Sequence, residues 1–202
     1  MSIIESLIGG LSQEGGLAEL SRSLGIDRQK AAVGLAAAAP MILGALHRNA
    51  ARPEGAQALA DALDRDHDGS LLDDLGSFLG RGETRDGEAI LGHVLGDRRP
   101  AVDRGVAQAA GLDAATASKL MAMAAPLIMA QLGKAKRAGG LNAESLAGLL
   151  GEEREALKTA APGSMGALGA LLDADGDGDV DASDLLSRGG PLLDTISKLF
   201  KG

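Results

Sequence analysis

Ala31–Leu46, AAVGLAAAAPMILGAL, and Ala117–Leu132, ASKLMAMAAPLIMAQL, decide how this chain folds. Both are dominated by Ala, Leu, Ile and Met, residues that lose little on entering a helix, and both carry a proline at the same relative place, Pro40 and Pro126. Each reads as a buried core helix whose small side chains let a neighbour approach closely. Proline removes a backbone donor, so both helices are expected to bend at equivalent points. Each quoted run falls short of the roughly 20 residues that cross a bilayer, and no transmembrane segment is expected.

The likeness between the two runs extends outward. A shift that lays Gly25 on Gly111 also lays LGIDRQKAA on AGLDAATAS, and Ile4 of IIESLIGG on Ile90 of AILGHVLG. This predicts an internal repeat, with copies over about Ser2–Asp64 and Gly87–Leu150. Asp27 and Asp113 precede the two long helices as N-caps. The organisation predicted is a first repeat with its following loop over 1–86 and a second with a C-terminal loop over 87–202, sharing one core.

Composition supports an all-α fold. Hydrophobic residues make up 45% of the 202, yet the aromatics are only Phe78 and Phe200, a balance that favours packed helices over sheets. A formal charge of −8 and the lack of stacking residues argue against nucleic acid. Cysteine is absent, which excludes disulfides and thiolate metal sites. The opening MSIIESLIGG places Glu5 where an export signal carries Lys or Arg, so the expected location is cytoplasmic.

Two Asp-rich loops remain. DADGDGDVDASD, from Asp173 to Asp184, puts an oxygen at every liganding place of an EF-hand loop: Asp173, Asp175, Asp177, Asp179, Asp181 and Asp184, with Gly178 at the turn and Val180 as the apolar residue. The last place holds Asp where Glu is usual; its shorter reach favours a weaker site or Mg²⁺. The first loop starts as well, with Asp64, Asp66, Asp68, Gly69 and the Ser70 carbonyl. Its end departs: Leu75 takes the final place and the nearest carboxylates are Asp73 and Asp74. Both are candidate Ca²⁺ sites that accept Mg²⁺, the plain alternative being solvated turns and caps. The helix after the second loop is cut short by Gly189, Gly190 and Pro191, so a structural ion is expected rather than a switch.

LDRDHDGSLLDDLGSFLG, EAILGHVLGDRRPAVDRGVAQAAGLD and MAAPLIMAQL together resemble the bacterial domain-of-unknown-function 937 family, over about Leu17–Leu150. The resemblance implies a small helical bacterial protein and leaves its function open. The C-terminal loop reads as an addition to the family core.

No catalytic constellation is present. His47, His67 and His93 have no helical metal-ligand spacing, and no nucleophile motif or phosphate loop accompanies them. His93, in ILGHVLG, has apolar neighbours and reads as a buried histidine; His67 sits at a loop position that points outward. Met121, Met123 and Met129 read as core filler, and KAKRAGG at Lys134–Gly140 as a complement to a helix C-terminal dipole. The function expected first is a non-enzymatic, calcium-stabilised helical module that binds a protein partner or forms a homo-oligomer. The alternative is a small-molecule binder or hydrolase that uses a cavity between the repeats with His93 as its polar group.

Overall fold

The computed structural model describes residues 3–13 and 15–160, and in these the chain is helical throughout, as composition predicts. Among the described residues nine α-helices follow one another: α1 (Ile3–Gln13), α2 (Gly16–Leu24), α3 (Arg28–Ala50), α4 (Pro53–Arg65), α5 (Leu75–Arg81), α6 (Arg85–Leu95), α7 (Arg99–Ala110), α8 (Ala114–Gly139) and α9 (Ala143–Ala160). Short 3₁₀ turns over Ser70–Asp74 and Gly96–Arg98 precede α5 and α7. The second Asp-rich loop, Asp173–Asp184, lies outside the described residues.

α8 is the axis. Every residue from Leu120 to Ala130 is buried, so the helix is apolar all round and is enclosed by α1, α3, α4, α6 and α7. Met121, Met123 and Met129 are part of this core at 0%, 0% and 4% exposure. The second long helix, α3, meets α8 closely: a methyl group on Gly34 would come within 2.5 Å of a Leu120 terminal carbon. Residues of both halves belong to one hydrophobic cluster.

The local signals at the two long helices hold. The Asp27 carboxylate accepts from the Lys30 N–H at 2.8 Å, and that of Asp113 from the Thr116 N–H at 2.9 Å, each satisfying a donor the first turn leaves open. Gly25 and Gly111 end the preceding helices in the left-handed conformation, which a side chain disfavours. One further cap acts across the molecule. The Ile3 N–H at the start of α1 donates to the buried Glu153 carboxylate of α9 at 2.9 Å, a negative charge at a helix N-terminus.

Two expectations need correction. α3 has 23 residues and α8 has 26, and both are long and apolar enough to cross a membrane by length and composition, so the exclusion of a transmembrane segment does not stand. The sixteen-residue runs stopped where polar residues began, but the helices continue past them. In the folded protein 61% and 72% of their apolar windows are buried, as befits core helices. The expectation of a protein partner or homo-oligomer is also withdrawn: among the described residues Ile8 is the large hydrophobic side chain left exposed, and one side chain is not an apolar patch.

A candidate ligand cavity beside the first Asp-rich loop

The first loop seats on α8 backbone to backbone. At Gly133 a methyl group would lie 1.8 Å from the His67 carbonyl oxygen, a distance that admits only glycine. Gly69 faces the same helix, with φ of 99° and the place of a Cβ 3.0 Å from that of Lys134. Lys136 and Arg137, in the last turn of α8, then reach the loop's carboxylates. Lys136 pairs with Asp64, while Arg137 donates to the Asp68 carboxylate at 2.8 Å and to its carbonyl at 2.9 Å. The KAKRAGG segment thus does more than offset a helix dipole: it latches the loop.

This geometry gives the first loop's acids different partners instead of one ion. Asp64 goes to Lys136 and Asp68 to Arg137, while Asp66 pairs with its neighbour Arg65 at 2.7 Å. Asp68 also accepts the Ser70 N–H at 3.0 Å, closing a turn, and Ser70, Asp73 and Asp74 are exposed on the 3₁₀ segment. Among the described residues no three acidic or histidine side chains are grouped to hold a metal. The donor set therefore does not fit a Ca²⁺ cage at Asp64–Asp74. The Asp68 carboxyl is held below the usual carboxylate range, first by its bonds to Ser70 and then by Arg137.

Beside the latched loop the structure opens. A cavity of about 620 Å³ lies between the end of α3, α4, α6 and the middle of α8, within the size range of small-molecule sites. Its apolar floor includes Leu46, Leu59, Ile90, Val94 and Met129, and its polar rim consists of Asn49, Arg52, Glu54, His67 and His93. Asn49 ties the lip together, its side-chain amide donating to the Val94 carbonyl at 3.3 Å from α3 to α6. α4 approaches the same corner through Gly55, where a methyl group would fall 1.9 Å from the Asn49 carbonyl oxygen.

The two histidines sit opposite to their expected places. His93 is exposed on α6 and lines the cavity, because apolar sequence neighbours on a helix turn to different faces. His67 is half-buried in the cavity wall, because the loop lies down on α8. Burial pushes its imidazole below its ordinary value; Asp66 and Asp86 act the other way. Asn49 and Arg52 had no sequence motif to mark them. Their signal is the helix break before Pro53, which turns α3 into α4 at the cavity's edge.

No curated protein and no solved structure matches this chain significantly. A family model does match, over residues 5–135. That span starts earlier than the resemblance in the sequence suggests and stops within α8. It takes in the latched loop and the whole lining of the cavity, and it leaves Asp173–Asp184 outside. Covering more than half of the chain, it shows that this protein belongs to the bacterial family of unknown function DUF937.

Proposed function

We propose that this protein is a non-enzymatic binding domain that takes a small, partly apolar molecule into the cavity between α3, α4, α6 and α8. The observation that carries the reading is the cavity itself: about 620 Å³ with a hydrocarbon floor and two imidazoles on its rim. The pocket is partly open to solvent, and a partly apolar ligand entering it would release water from the hydrocarbon lining. A thermal-shift screen of small fragments tests this, run on the wild type and on Ile90→Trp and Val94→Phe, which fill the space. Compounds that stabilise the wild type are expected to lose their effect in both variants; equal stabilisation of all three proteins would place the site elsewhere.

A second reading concerns the C-terminal loop. Asp173–Asp184 fills each liganding position in sequence, and we propose that it binds Ca²⁺, or Mg²⁺, as a structural ion. Calorimetric titration should then give one binding event, abolished in an Asp175→Asn/Asp177→Asn variant. Two events would restore the first loop as a site, and none would reduce the second to a solvated turn. We also read Ser2–Asp64 and Gly87–Leu150 as copies of one unit. The matching Asp27 and Asp113 caps and the matching left-handed Gly25 and Gly111 support this.

A further inference from the structure

Resting on the cavity reading, we infer that the ligand is an anionic amphipath: a carboxylate with a hydrocarbon tail. The rim sets three donor side chains, Arg52, His67 and His93, against one carboxylate, Glu54. Arg52 precedes α4 at an exposed position in the lining, which puts a guanidinium at the cavity's edge. His67 and His93 each present an imidazole N–H whatever their charge state. Glu54 is the one carboxylate in the lining, and it lies in the first turn of α4, where the helix dipole favours it.

Below this rim the surface is hydrocarbon. Leu46 and Met129 are 2% and 4% exposed and form a rigid floor, while Ile90 is half-buried along the wall. A carboxylate matches the planar fork of one arginine, and an alkyl chain matches the floor. Other ligand classes fit less well. A nucleotide would want further cations and an aromatic platform, and the lining has a single Arg, no Lys and no aromatic ring beyond the imidazoles. A metal ion would want a third ligand, and no group of three exists among the described residues.

The experiment is calorimetric titration of the full chain with butanoate, hexanoate and octanoate, and with octanamide as a neutral match. Octanoate is expected to bind at least tenfold tighter than octanamide, with affinity rising about fourfold per methylene along the acid series. In Arg52→Gln and His93→Gln, both at exposed positions, octanoate should weaken about tenfold while octanamide is unchanged. Octanamide binding as tightly as octanoate would overturn the anionic class and leave the cavity reading in place. Failure of every compound to bind would overturn this inference, and the cavity reading would then be judged by the fragment screen with Ile90→Trp. Tight octanoate binding that survives Ile90→Trp would place the acid at another site and overturn both.

Discussion

The loop at 66–74 and the cavity beside it share His67, yet one is filled to atomic contact and the other is open. On one side of this residue its carbonyl oxygen presses on Gly133 so closely that no methyl group fits between them. On the other side its imidazole borders about 620 Å³ of space. Two α8 cations hold the loop in its seat, while among the described residues nothing comparable closes the cavity. The difference teaches that the open volume is not loose folding. The same few residues that tolerate no added carbon on one face keep room for many on the other.

The largest expected effect lies on the filled side. Gly133→Ala replaces a poor helix former with the best, worth about 1 kcal/mol, but drives a carbon into the His67 carbonyl. Overpacking of that kind outweighs the propensity, and a net loss of about 3 kcal/mol is expected in urea unfolding. Gly148 of α9 is the control, since nothing lies within 4 Å of the place of its Cβ, and Gly148→Ala should stabilise by about 0.5–1 kcal/mol. If both variants move the midpoint the same way, the tight seat is not real. Gly69→Ala ranks second, at about 1.5 kcal/mol. Its φ of 99° strains any side chain, and the Lys134 contact at 3.0 Å leaves little slack.

On the open side the prediction reverses. Ile90→Trp adds more volume than Gly133→Ala does, yet it should shift stability by no more than about 0.5 kcal/mol, because the ring enters space that is already empty. A loss near that of Gly133→Ala would show that the cavity closes up in solution. Enlarging one wall residue at a time in this way maps where the room is, independently of any ligand.

How much of this was legible in the sequence depends on how far apart the interacting residues are. The helices, the two Asp caps and the methionine core follow from patterns within about one or two turns, and the structure agrees with each. The latch joins Asp64 and Asp68 to Lys136 and Arg137, and the cap on α1 joins Ile3 to Glu153; a periodicity of 3.6 carries no information at such separations. The first Asp-rich loop is hard to read for a related reason. D-x-D-x-D-G shows that carboxylates are concentrated, but whether cations of the same chain or an ion neutralise them is settled by what packs alongside. His93 misled through its neighbours, since ILGHVLG reads as apolar while the helix sends His93 outward and Leu91 into the core.

The smallest effects are those of pH, and they separate the two sides of His67 by where on the scale they fall. Burial lowers the folded-state value of its imidazole below the ordinary 6.5, so the unfolded chain takes up the proton first. Stability from this source is complete above about pH 6.5 and is lost as the pH falls through the lowered folded value. The Asp68 carboxyl is also lowered, by Ser70 first and then Arg137, so its contribution is present above about pH 4 and is lost only as the pH falls further. Asp103 opposes it there: burial raises its carboxyl, which favours the fold in acid and counts against it as the pH rises. Urea midpoints measured against pH should therefore decline in two steps. His67→Gln should flatten the slope just below pH 6.5 and leave the acid step intact, while Asp68→Asn should leave the upper slope and shrink the acid step, to which the lowered carboxyls of Asp66 and Asp113 also contribute. A slope just below pH 6.5 that His67→Gln leaves unchanged would mean that the imidazole stands in water, and that the cavity is wider at its loop side than the packed seat beside it implies.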